Sequence, residues 1–139
     1  MFPGFVFISC SAPGAPKPAG APEDAPALLA ATLARAYSCT VVLKGPDTFV
    51  SDGSRTAAMR EGTAALAKAG TGDVLAGMIS SLLAQGIAPF EASYTGALLH
   101  ARAGGAAEGR FTSRGVRAED VIEGIPAALR TLERAGRDE

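Results

Sequence analysis

Thr40-Val41-Val42-Leu43-Lys44-Gly45 decides the fold class. Thr40 to Leu43 is a continuous β-branched and apolar run without polar alternation, the pattern of a strand buried on both faces of a parallel sheet. Ahead of it, Ala27 to Tyr37 places Leu28, Leu29, Leu33 and Tyr37 at helical spacing, with Arg35 as its charge. A helix running into a buried strand is half of a βαβ unit, so the chain reads as α/β. Lys44-Gly45-Pro46-Asp47-Thr48 punctuates the strand at its carboxyl end. The chain resumes as a strand over Thr48 to Val50, turns at Asp52-Gly53, and returns weakly over the alanine-diluted Arg55 to Arg60. Glu61 to Ala69 reads as a loop of small residues.

Ala69-Gly70-Thr71-Gly72-Asp73 then leads into an apolar helix, Asp73 to Ala84, with Val74, Leu75, Met78, Ile79, Leu82 and Leu83 at helical spacing and a stop at Gln85-Gly86. Gly70 and Gly72 let the backbone approach a ligand with no Cβ in the way. The first amides of a helix have no intrahelical acceptor and carry its positive dipole end, so this corner suits a phosphate or a developing anion. Asp73 places a proton acceptor beside it, although a plain capping role fits the same residues. Lys44 and Gly45 sit where ligands bind in open α/β sheets, outside the carboxyl ends of the strands. Pro89 opens a second helix to about Glu108, Arg110 to Arg114 reads as polar loop, and Ala118-Glu119-Asp120 opens a last helix through Leu132. His100 stands alone among apolar neighbours and reads as a core or surface residue.

The 139 residues suffice for one core, and the net charge of −1 gives no electrostatic case for nucleic acid or an anionic membrane. The longest apolar runs fall short of the roughly 20 residues that span a bilayer. Cys10 and Cys39 form no disulfide framework, and a single histidine gives no zinc cluster, so no protein metal site is expected and a reducing cytoplasm is the default. Met1 to Ile8 is apolar but lacks the basic start of a secretion signal. Residues 1–22 read as an Ala/Pro/Gly-rich disordered leader, 23–135 as the domain and 136–139 as a polar tail. Two to four strands are a small scaffold for three consecutive helices, so the chain reads as the C-terminal part of an α/β fold whose first strands are missing.

Val41 to Thr48, Gly70-Thr71-Gly72-Asp73-Val74-Leu75-Ala76-Gly77, Leu83-Ala84-Gln85-Gly86, Leu99-His100 and Ala118-Glu119-Asp120-Val121 occur in an order that resembles the ADP- or ATP-dependent NAD(P)H-hydrate dehydratases. These are a branch of the ribokinase-like superfamily with a three-layer α/β domain. The resemblance implies that Lys44, Gly45, Pro46, Asp47 and Thr48 line an adenine-nucleotide site. It implies that Gly70, Thr71 and Gly72 offer backbone donors to the phosphates. Asp73 would lie against the hydrated nicotinamide as general base, and Mg²⁺ would accompany ADP or ATP. The implied activity restores NADH or NADPH from its hydrate. A related vitamin or sugar kinase and an inactive remnant are the alternative readings, and an oligomer or partner fragment covering exposed sheet is a further expectation. The chain departs from the family pattern in Glu61 to Lys68, which keeps Gly62 but lacks a second Gly and has Thr63 where the family has Asn, at Gly105 where it has Asp, and above all in lacking the family's N-terminal half with its substrate contacts.

Overall fold

The computed structural model of the chain describes residues 6–10 and 24–135. Its strands and helices run in the order β1 (Val6–Cys10), α1 (Ala25–Tyr37), β2 (Thr40–Lys44), β3 (Thr48–Ser51), β4 (Thr56–Met59), α2 (Thr71–Ala84), α3 (Pro89–Gly115) and α4 (Ala118–Ala135). A single 3₁₀ turn, Ala64–Leu66, interrupts the loop before α2. The four strands form one sheet in the order β1-β2-β3-β4. β1 lies parallel to β2, while β3 and β4 add antiparallel to it.

The strand pattern follows the chemistry of Thr40 to Leu43. Val41 and Leu43 pack with Ala30, Ala34 and Cys39 under α1, whereas Val42 joins Val50, Met59, Leu75 and Ile79 under α2 and α3. Both faces of β2 are therefore dry, which is what a run without polar alternation requires. α4 packs outside, on α3 and α2. The turn between β3 and β4 is fixed locally. Gly53 takes a φ of +91°, and the Asp52 carboxylate accepts hydrogen bonds from the Ser54 and Arg55 amides at 3.0 and 2.9 Å.

Three expectations are corrected. The span 1–22 is not wholly a disordered leader, because Val6–Cys10 pairs with Thr40–Lys44 as the first strand of the sheet. A short apolar run beside an Ala/Pro/Gly tract carries no local sign of a partner so distant in sequence. Residues 11–22 and the 136–139 tail lie outside the described residues. α1 packs by Ala30 and Ala34 with the partly buried Leu33, while Leu28, Leu29 and Tyr37 are exposed; the small side chains let the helix lie close on the sheet. Finally, 110–114 is no simple loop. The helical path of α3 continues through it and breaks at Thr112, whose φ is +66°.

Candidate functional site

The Gly70 to Asp73 corner is built by a left-handed residue. Gly70 caps α2 with a φ of +87°, a conformation that L side chains rarely adopt. Its carbonyl accepts from the Asp73 and Val74 amides at 3.1 and 3.2 Å, which closes the first turn. Thr71 is buried, and its hydroxyl reaches back to the carbonyls of Leu66 at 2.7 Å and Lys68 at 2.9 Å. The Thr71 side chain thus holds the preceding loop, and its amide also donates to the Lys68 carbonyl at 3.4 Å. A Cβ placed on Gly72 would sit 3.7 Å from the Lys44 ammonium, so the end of β2 and the start of α2 converge. Asp73 follows within the first turn and is exposed.

The β2–β3 turn contributes differently. Gly45 and Pro46 are exposed, and Asp47 is half-buried and pairs with Arg60 at 3.7 Å. Thr48 begins β3 opposite Met59. The loop after β4 lies against this turn, since a Cβ on Gly62 would meet the Pro46 carbonyl at 3.4 Å. Thr63 and Gly105 come together in space: a Cβ on Gly105 would lie 3.9 Å from the Thr63 methyl. The Thr63 hydroxyl accepts from the Ala65 amide at 3.1 Å and caps the 3₁₀ turn.

On the other side of α2 a groove of about 710 Å³ runs between α2 and α4. Asp73 and Glu119 stand at its polar part, and Val74, Met78, Ile122 and Leu129 supply its apolar lining. The starts of both helices meet here, because a Cβ on Gly70 would contact the Ala118 Cβ at 3.1 Å. Asp120 secures the start of α4 by accepting from the Arg117 amide at 2.8 Å. Its carboxyl is held below the usual range by the Arg117 side chain and backbone hydrogen bonds.

His100 is the polar group that sequence reasoning set aside. It is only 3% exposed, and its Nε2 lies 2.8 Å from the Thr71 carbonyl oxygen. Burial, and then the Lys44 charge, push the imidazole down to about 4 against the raising effect of the Thr71 carbonyl. The ring is therefore neutral at pH 7, and Nε2–H is the donor. The folded state disfavours a proton that an unfolded histidine takes up near 6.5. Folding stability from this source is complete above about pH 6.5 and is lost as the pH falls toward 4. The carboxylate of Asp120 gives up its share lower, below its ordinary value of 3.8. Thermal melts between pH 7 and 4 should show the decline, and His100→Gln should flatten it. An equally steep decline in the variant would remove His100 as its source.

The model of the NAD(P)H-hydrate dehydratase family matches residues 15–127. The chain belongs to that family. Its relatives include the bifunctional NAD(P)H-hydrate repair enzyme Nnr of Hyperthermus butylicus, 40% identical over 85% of this chain and 22% of the relative. The ADP-dependent (S)-NAD(P)H-hydrate dehydratase of Neisseria meningitidis serogroup B is 45% identical over 69% of this chain and 32% of its own length. The chain therefore spans between about a fifth and a third of these two curated relatives, at 22% and 32%. Among solved structures, YxkO of Bacillus subtilis, a UPF0031-family protein, superposes with a TM-score of 0.67 at 28% identity, over 76% of this chain and 40% of that one. Hydroxyethylthiazole kinase of Pyrococcus horikoshii OT3 does so with a TM-score of 0.58, again at 28% identity, over 75% and 40%. This dehydratase-family chain thus has the ribokinase-like α/β fold of these proteins, in part. No helix among its described residues is long and apolar enough to cross a membrane.

Proposed function

We propose that this chain takes part in the ADP-dependent dehydration of hydrated NADH or NADPH, with residues 23–135 and the strand Val6–Cys10 as the working domain. The observation that carries the reading is the approach of the Lys44 ammonium to Gly72, where α2 begins and Asp73 follows. A cation, a run of helix-start amides and a carboxylate within one turn suit phosphoryl transfer to a hydroxyl. ADP rather than ATP follows the relatives, two of which are named as ADP-dependent dehydratases.

Hydroxide is a poor leaving group and phosphate a good one. The Asp73 carboxylate accepts the proton of the substrate hydroxyl as its oxygen bonds to the terminal phosphorus of ADP, and AMP leaves. The C–O bond of the phosphate ester then breaks, phosphate leaving with the bonding pair, and the neighbouring carbon gives up a proton so that its C–H pair forms the double bond of the dihydronicotinamide. Lys44 and the amides of Gly70, Thr71 and Gly72 hold the phosphates, and Gly45, Pro46, Asp47 and Thr48 border the nucleotide along the β2–β3 turn. No group of three or more metal-binding side chains occurs among the described residues. Mg²⁺ needs only one or two carboxylates when phosphates supply its other oxygens, so a bound nucleotide would bring most of its ligands. Mg²⁺ would supply charge neutralisation on the phosphoryl oxygens. The expected setting is the cytoplasm, with a second copy or a complementary polypeptide along the edge of β1, which is the outer strand among the described residues.

The deciding experiment incubates the protein with hydrated NADH and ADP, and separately ATP, following the absorbance of the reduced nicotinamide. Recovery supports the dehydratase. Nucleotide turnover on an alcohol without recovery supports a small-molecule kinase, the reading favoured by the likeness to hydroxyethylthiazole kinase. Silence with both means an inactive chain. Gly72→Val should weaken ADP binding at least about tenfold by calorimetry, because its branched side chain fills the space between the helix start and Lys44. Unchanged affinity would take Gly72 out of the nucleotide site.

A further inference from the structure

We infer that His100 is the positioning residue of the anion-binding turn, its Nε2–H clamping the Thr71 carbonyl so that the Gly70 to Gly72 amides keep one geometry. The inference rests on the reading of that turn as a nucleotide cradle and names the group that sets its shape. α3 presents a largely small-residue surface to α2 at this level, with Gly96, Ala97, Ala101 and Gly104 buried. His100 is the polar side chain in that surface, buried, and it reaches across 29 residues of sequence to Thr71. The Thr71 carbonyl has two lone pairs, so it can accept from the imidazole as well as serve the helix.

The turn is bracketed from two directions. The Thr71 hydroxyl binds the Leu66 and Lys68 carbonyls on the loop side. The Leu66 side chain in turn fills the space left by Gly104, where a Cβ would meet Leu66 Cδ2 at 2.5 Å. One helix, α3, therefore holds the loop through Gly104 and the helix start through His100. A conformationally restless cradle would bind phosphate more weakly, since ordering its amides costs free energy at the moment of binding. Lys44 stands at Gly72 and lowers the proton affinity of the ring, so the clamp donates from a neutral imidazole at neutral pH.

Three substitutions separate positioning from packing. His100→Gln carries an amide N–H that reaches nearly as far as Nε2, while His100→Leu fills similar space with no donor. His100→Asn keeps polarity but falls short of the carbonyl. In the full chain, ADP affinity is measured by calorimetry, and amide hydrogen exchange is followed over residues 71–75, with β2 and α4 as internal references. H100L and H100N should bind ADP at least about tenfold more weakly and exchange at least about tenfold faster over 71–75, with the reference segments unchanged; H100Q should stay within about threefold of the wild type in both. Equal values for H100L and wild type, or an H100Q no better than H100N, would overturn the inference. If wild type fails to bind ADP while H100L still loosens 71–75, the cradle reading falls and the clamp stands.

Discussion

Asp73→Asn is expected to lower the recovery of NADH from its hydrate by at least about 10²-fold, the low end of what a positioned general base supplies. Asparagine keeps the size of the side chain and loses the proton acceptor. The backbone donors of Gly70, Thr71 and Gly72 are untouched, so ADP affinity should stay within about threefold, the residual change reflecting a lost carboxylate near the phosphates. Stability should shift little. Asp73 is exposed in the first turn of α2, where a negative charge contributes about 0.3–1 kcal/mol through the helix dipole. Steady-state rates with hydrated NADH and ADP, beside calorimetry with ADP alone, separate the two effects. Equal turnover in variant and wild type would leave Asp73 as a helix-start acid and move the base elsewhere.

The geometry of this corner was legible because it is local. Gly70 needs its left-handed conformation and Asp73 its place in the first turn, and both lie within four consecutive residues. The same holds for Thr40 to Leu43, whose β-branched run reads as buried with no knowledge of its neighbours, and for the Asp52-Gly53 turn. What depends on distant pairing was not legible. Val6–Cys10 becomes a strand only because Thr40–Lys44 lies beside it. The packed face of α1 was legible only at Leu33, because leucine spacing outweighs alanine in any periodicity argument, whereas close approach to the sheet favours Ala30 and Ala34. Lys44 and Gly72 meet because a strand end and a helix start face one another, and no spacing rule connects them. His100 looked bland for the same reason: its partner is a backbone carbonyl, which the sequence does not mark. The contact of Thr63 with Gly105 shows the converse. Thr63 and Gly105, far apart in the chain, fall on one small surface.

Gly124→Val is expected to destabilise the protein by about 3 kcal/mol or more, at the upper end of what overpacking a core costs. Gly124 is buried in α4, and a Cβ there would run into the Ala103 carbonyl oxygen, with the Ala103 carbonyl carbon at 3.1 Å and Cα at 3.2 Å. These are backbone atoms of α3, so no side-chain rotation relieves the clash and the helices must separate. Separation opens the cluster of Leu99, Ala103, Val121 and Ala128 that joins them. The helix propensity gained by removing a glycine, under about 1 kcal/mol, opposes this and is too small to reverse it. Gly77→Ala supplies the control. Gly77 lies in α2 with no atom within 4 Å of the added Cβ, so the same propensity should raise stability by about 0.5–1 kcal/mol. At roughly 3–6 °C per kcal/mol, the two midpoints should move apart by more than about 10 °C in thermal melts. The effect reaches the site, because Ala118 at the start of α4 stands against Gly70. A folded Gly124→Val population should therefore bind ADP less tightly than Gly77→Ala. Gly124→Val melting within about 2 °C of wild type would show that α3 and α4 do not pack as closely as this contact requires.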